Sequence, residues 1–341
     1  MTAEKNISIA MLGAGSWGIA VANLISENSY PVKMWEFNKT DCEQLQEKRE
    51  LPKKLPGIKL AESIIVTNDL KETLTDADFV FCAVPSQFLR AALIDYAELG
   101  LTNKPIFINL AKGIEVGSLK RMSEVIAESV PEEHRSAVCT LSGPSHAEEV
   151  AKRMPTVITV ACSDEDAANK VQSILKNSYF RVYTSNDILG VELAGSLKNV
   201  IALAAGVLDG LKLGDNIRGA LLTRGLAEIV RLGSDMGADP LTFSGLAGIG
   251  DLVTTCLSKH SRNRFVGEQV GKGRKLADVL SKMPMVAEGV ETTKSAFALG
   301  KARGIEMPIT EKVHSILFEN VPPLEAITEL MTRDPKSERW N

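Results

Sequence analysis

The chain reads as an α/β half built on a parallel sheet, followed by an all-α half. Three observations predict this. Short β-rich apolar runs alternate with amphipathic segments as far as Ser185. From Asp187 onward no run has strand character, and long segments rich in Ala, Leu and Gly take over. The first apolar run, 7–12, ends directly on a glycine turn at 13–18. Such alternation implies parallel strands joined by crossover helices. Strands are expected at 7–12, 32–35, 79–84 (stopped by Pro85), 106–110, 137–141, 157–161 and 180–183, with helices between most of them, as at 18–26, 119–128 and 164–176. In the second half helices are expected at 187–208, 218–236, 276–281 and 291–303. The change of character falls at Thr184-Ser185-Asn186, residues suited to an N-cap. This divides the chain into 1–186 and 187–341.

Composition bounds the function. At about 150 residues per domain, 341 residues suit two domains, each large enough for its own core. A 44% hydrophobic and 24% charged composition is that of a globular protein. The formal charge is −4 and no basic block stands out, which argues against a nucleic-acid partner. The five cysteines are odd in number and form no CxxC, and the four histidines are scattered. That argues against a disulfide framework or a metal site and for a reducing compartment. The polar stretch 1–6 and the short run 7–12 do not make a signal peptide. The longest apolar stretch, near 200–208, is too short for the ~20 residues of a membrane span. A cytoplasmic protein is expected, with a charged, exposed tail at 333–341.

Gly13-Ala14-Gly15-Ser16-Trp17-Gly18 fits G-x-G-x-x-G between a strand and a helical pattern, the context that gives the pattern meaning. Gly13 permits the tight turn, Gly15 lets backbone approach a pyrophosphate, and Gly18 lets helix and strand pack closely. The helix N-terminus then offers free N–H groups to the anion. A Rossmann-type dinucleotide site is therefore expected. An acidic residue about 20 positions on would bind the ribose 2′-OH and favour NAD. Glu36 is the candidate, but Lys33 and Lys39 lie near enough to accept a 2′-phosphate, so NAD and NADP both stay open.

Lys198 is the only charge between Glu192 and Asp209. Burial would lower its pKa toward neutrality, as a general acid for carbonyl reduction needs. The plainer reading is a lysine whose stem lies on apolar surface with its head in water. Asp251 lies in a glycine-rich loop, where a helix N-cap is the plain reading. Lys112 follows a strand's carboxyl end, where ligands bind in open α/β sheets, or it is a solvated loop charge. Ser261 suits the N-cap of a helix whose first turn carries Arg262. A cation there opposes the helix dipole unless an anion such as a phosphate offsets it; the plainer reading is a solvated basic first turn.

Together GAGSWG at 13–18, NLAKGIE at 109–115, SGPSHAEEV at 142–150, ELAGSLKNVIALAAG at 192–206, GLAGIGDLVTTC at 245–256, SRNRFVG at 261–267, VAEGVETTK at 286–294 and ELMTRD at 329–334 resemble the bacterial NAD(P)-dependent glycerol-3-phosphate dehydrogenases. They run in that family's order along nearly the whole chain. The resemblance implies reduction of dihydroxyacetone phosphate to sn-glycerol 3-phosphate for phospholipid synthesis. It implies Lys198 as proton donor or acceptor, with Lys112 and Asp251 also in the active site. Substrate contacts would come from Gly143 and Ser145, and the phosphate would be held by Ser261, Arg262 and Asn263. Cofactor contacts would come from Ser16, Trp17, Phe37, Lys112, Ala147, Arg262, Val286 and Glu288, beside the glycines and Glu36. Phe37 and His146 stand where other members carry a polar or basic residue and a phenylalanine; no catalytic role falls to His146. No metal is expected, and a homodimer is. The competing readings are a related two-domain dehydrogenase acting on 3-hydroxy acids or 6-phosphogluconate, and a non-catalytic nicotinamide sensor. The first has no stated need for SRNRFVG and GIGDL together, and the second none for a lysine inside an apolar helix.

Overall fold

Each strand at the centre of the sheet is buried on both faces, which is why these runs are continuously apolar instead of alternating. In the computed structural model, which describes residues 7–335, 337 and 338, Ile9 and Met11 enter one core layer while Ala10 and Leu12 enter the other. The eight strands are β1 (Ile9–Leu12), β2 (Val32–Trp35), β3 (Ile65–Thr67), β4 (Phe79–Cys82), β5 (Ile106–Asn109), β6 (Ala137–Ser142), β7 (Thr156–Ala161) and β8 (Phe180–Ser185). Their order is β3-β2-β1-β4-β5-β6-β7-β8. Helices α1 (Ser16–Glu27), α2 (Lys39–Lys48), α3 (Leu70–Leu74), α4 (Leu89–Leu93), α5 (Met122–Ser129), α6 (Ala147–Val150) and α7 (Glu165–Leu175) connect them.

Three expectations are corrected. There is an eighth strand, β3; it has three residues, begins at exposed Ile65 and lies at the sheet edge, so it lacks the apolar run that marks the inner strands. The sheet is not wholly parallel: β7 runs antiparallel to β6, because the short α6 connection folds the chain back. The cap of the following helix is neither Ser185 nor Asn186. Asp187 accepts a 2.8 Å bond from Gly190 N and begins the helical half.

That half consists of α8 (Ile188–Leu211), α9 (Asp215–Asp235), α10 (Asp251–Leu257), α11 (Arg262–Gly271), α12 (Leu276–Leu280), α13 (Glu288–Arg303), α14 (Pro308–Phe318) and α15 (Pro323–Met331), with a π-helical turn at Leu246–Gly250 before α10. By length and composition α8 would pass for a membrane span, but 83% of its apolar window is buried inside the protein, as suits a core helix. Its neighbours approach without intervening side chains. A Cβ on Gly206 would lie 2.0 Å from Arg264 O, and one on Gly267 would lie 1.9 Å from Leu203 O. This contact sets the start of α11 beside the middle of α8. The start of α8 is tied to the sheet by buried Glu192. Its carboxylate accepts from Ser123 N (2.8 Å), Ser123 Oγ (2.5 Å), Arg121 Nη1 (2.7 Å), Thr140 Oγ1 (3.0 Å) and Asn109 Nδ2 (3.3 Å). Within the tail, residues 333–335, 337 and 338 are exposed; 336 and 339–341, like 1–6, lie outside the described residues.

Candidate active site

A cleft of about 710 Å³ lies between the carboxyl ends of the strands and the helical half. Its first wall is the glycine turn. Gly13 has φ +99°, and a Cβ on Gly18 would sit 2.1 Å from Gly13 O. A Cβ on Gly15 would meet nothing, since that position faces open space. Gly15 also caps α1 with no side-chain hydrogen bond, leaving first-turn N–H groups for a ligand. Bare backbone, open space and a helix N-terminus fit a dinucleotide pyrophosphate. Ser16 Oγ donates to Lys54 O at 2.6 Å and lies 3.0 Å from the sulfur of Met285. Trp17 packs half-buried against the core.

Glu36 follows β2, 7% exposed. Its Oε2 accepts from Ala14 N (3.2 Å) and Lys54 Nζ (3.0 Å), and its Oε1 accepts from Asn38 N (3.0 Å). Phe37 is 77% exposed at the cleft edge, edge-on to Trp35. Of the two lysines read as possible 2′-phosphate ligands, Lys33 Nζ donates to Glu72 O at 3.2 Å, and Lys39 is exposed at the first residue of α2. The cation beside Glu36 is Lys54.

The opposite wall holds the three charges of interest. Lys198 Nζ donates to Asp251 Oδ1 at 2.6 Å and to Thr255 Oγ1 at 2.5 Å. Lys112 Nζ donates to Asp251 Oδ2 at 2.7 Å and to Gly143 O at 3.0 Å. One carboxylate, 2% exposed, thus engages both ammonium groups with different oxygens. Burial lowers the Lys198 pKa to about 8, with Asp251 opposing that shift and Lys112 adding to it. Burial pushes the Asp251 carboxyl up, but Lys112 and Lys198 together outweigh it and hold the group below its ordinary value. Lys198 and Lys112 line the cleft; Asp251 lies beneath them.

A second set of bonds locks this floor to the other elements. Asn199 Nδ2 donates to Lys112 O (3.0 Å), Asn263 Nδ2 donates to Asn199 Oδ1 (2.9 Å), and Gly289 N donates to Asn263 Oδ1 (2.9 Å). Glu288 accepts from Ser86 N (3.0 Å) and Lys112 N (3.2 Å). Ser261 caps α11, accepting from Arg264 N at 3.2 Å, and Arg262 Nη1 donates to Val286 O at 2.8 Å. Ser145 Oγ donates to Gly143 O at 3.0 Å. Ser145, Ala147, Ser261, Arg262, Asn263, Val286 and Glu288 line the cleft, whereas Gly18 and Gly143 do not. His146 and His260 also line it, rings 5.7 Å apart, and among the described residues the buried His146 Nε2 has no hydrogen-bond partner.

Models of the N- and C-terminal parts of NAD-dependent glycerol-3-phosphate dehydrogenase match residues 8–168 and 187–328. The chain belongs to this family. It is 52% identical over 330 residues to a glycerol-3-phosphate dehydrogenase [NAD(P)+] of Prosthecochloris aestuarii, covering 97% of this chain and 99% of that one. It is 50% identical over 325 residues to the protein of that name from Bacillus velezensis, covering 95% and 94%. The solved glycerol-3-phosphate dehydrogenase of Coxiella burnetii superposes with a TM-score of 0.91 at 36% identity, covering 96% and 99%. That of Plasmodium falciparum gives 0.85 at 26% identity, covering 97% and 96%.

Some residues of this cleft were not among the candidates that the sequence offered. Thr255 follows Asp251 by one helical turn, so its i+4 spacing was legible once α10 was drawn. Asn199 is an interior polar residue whose contact with the expected Asn263 depends on the α8–α11 crossing. Lys54 carried no signal: it sits in a loop, and only folding brings it to Glu36.

Proposed function

We propose that this chain reversibly reduces dihydroxyacetone phosphate to sn-glycerol 3-phosphate with NAD(P)H, supplying the backbone of glycerophospholipids. The observation that carries the reading is the buried Asp251 carboxylate shared by Lys198 and Lys112 on the cleft wall facing the glycine turn. The nicotinamide dinucleotide, when bound, supplies or accepts hydride at C2. Lys198 gives its proton to the C2 oxygen as charge develops there and takes it back in the reverse direction. Lys112 adds positive charge near that oxygen. Asp251 keeps two ammonium groups together in a buried place and raises the Lys198 pKa against the pull of burial.

Arg262, Ser261 and Asn263, grouped at the start of α11, would hold the phosphate end. Ser145 and Gly143 would bound the three-carbon chain. The turn 13–18 with Glu36, Phe37, Ala147, Val286 and Glu288 would hold the dinucleotide. On this reading 1–186 is the nucleotide-binding unit and 187–341 the substrate-binding unit. A homodimer is part of the proposal: Leu324 and Met331 on α15, exposed at 59% and 72%, offer an apolar face to a second copy. Light scattering at two concentrations would measure the mass. The five unpaired, buried cysteines favour a reducing, cytoplasmic setting.

The decisive assay compares ketones. Purified protein should oxidise NADH or NADPH when dihydroxyacetone phosphate is added and do so poorly with dihydroxyacetone. Equal rates with both would overturn the phosphate assignment, and no rate with either would overturn the reaction.

A further inference from the structure

We propose that Lys54 is the residue that lets this site accept the 2′-phosphate of NADP(H), and that its ammonium thereby sets the balance between the two nicotinamide dinucleotides. The inference deepens the dinucleotide-binding reading above and rests on it.

In a Rossmann sheet the adenosine ribose lies at the carboxyl end of the second strand, beside the glycine turn. An acidic group there accepts from the 2′-OH and repels a 2′-phosphate, which a nearby cation accommodates. Glu36 occupies that place, but it does not stand alone. Lys54 Nζ is 3.0 Å from Glu36 Oε2 and 2.9 Å from Asp41 Oδ2. Without this lysine two carboxylates would face the corner; with it, the corner carries one net negative charge. The Glu36 carboxylate also accepts from Ala14 N and Asn38 N, so its oxygens are drawn toward the backbone.

The lysine is held close to the pyrophosphate turn. Ser16 Oγ donates to its carbonyl at 2.6 Å. Leu51 and Leu55, on either side of it, are 3% and 1% exposed and joined by a 2.9 Å bond from Leu55 N to Leu51 O. The backbone is therefore fixed while the side chain, 21% exposed, lines the cleft. An ammonium on a flexible stem can turn from Asp41 to a phosphate without moving the loop. Neither Lys33, bonded to Glu72 O, nor Lys39, outside the cleft lining, fills this role.

The test is equilibrium calorimetry on the full chain with ADP-ribose and 2′-phospho-ADP-ribose. Lys54→Gln should weaken the 2′-phosphorylated ligand about tenfold or more and leave ADP-ribose within about twofold, the size of one charge-assisted phosphate contact. Lys54→Arg should keep the preference, and Lys39→Gln should change neither affinity. The NADPH-to-NADH ratio of kcat/KM should fall in parallel for Lys54→Gln. Equal weakening of both ligands would show that Lys54 only props the loop, and no weakening would show that another group meets the phosphate. Either result overturns the proposal. If the unmodified chain bound neither ligand and neither dinucleotide, the reading of the cleft would itself fail, an outcome the variants cannot mimic.

Discussion

Lys198 and Asp251 lie 53 positions apart in the chain and 2.6 Å apart in space, the lysine 5% and the aspartate 2% exposed. The pair joins α8 to the first residue of α10. Asp251 holds the Lys198 pKa up against burial, at about 8, and leaves no uncompensated buried charge.

Lys198→Met should lower kcat by about 10²–10⁴-fold, the range for loss of a positioned acid, with little change in dinucleotide affinity. On the proposed mechanism reduction needs the protonated lysine. Its rate should therefore fall as pH rises through about 8, while oxidation of sn-glycerol 3-phosphate rises across the same range. A variant that kept a tenth of wild-type kcat would remove Lys198 from this role.

Asp251→Asn removes the group that holds the Lys198 pKa up, leaving burial and Lys112 to lower it. The fall in reduction rate should move to lower pH. Breaking the buried pair should also cost about 3–5 kcal/mol of stability, read from urea unfolding. A weakened enzyme with an unmoved pH profile would make Asp251 structural only.

Glu192→Ala should destabilise the chain by about 3–5 kcal/mol, because Arg121, Ser123 and Thr140 lose the buried carboxylate they donate to. Burial raises the pKa of this carboxyl, with Arg121 opposing. Denaturant midpoints provide the measurement. A loss below about 1 kcal/mol, the scale of a surface pair, would mean Glu192 does not anchor α8.

Glu228, 2% exposed, accepts from Ile309 N (2.6 Å) and Thr310 N (3.2 Å) at the start of α14. Burial raises its pKa from 4.5 to about 7. Between those values the folded chain binds the proton more tightly than the unfolded chain, so stability should decrease as pH rises through this window. Glu228→Gln should remove that decrease and gain on wild type, by of order 3 kcal/mol, between pH 5 and 7.5. Melting temperatures of the two proteins that run parallel across this range would contradict the assignment.

What the chain determined without its fold is whatever depends on neighbours along it. Runs buried on both faces, as at β1 and β4, are continuously apolar wherever the chain goes. The turn 13–18 is local, as are the Ser261 cap and the isolation of Lys198 as the single charge between Glu192 and Asp209. The resemblance carried by eight such segments named the family, and both family models match.

Only tertiary structure decided what depends on distance. It reversed β7, placed the short edge strand β3 and gave the α8 cap to Asp187. It set both lysines on opposite oxygens of Asp251, a geometry made by the crossing of helices and the carboxyl ends of strands. It turned the amide of Asn263 toward Asn199 and Gly289. It also brought Lys54, and not Lys33 or Lys39, to Glu36. Coulomb and hydrogen-bond energies act over a few ångströms of space, and sequence separation does not record where two side chains meet.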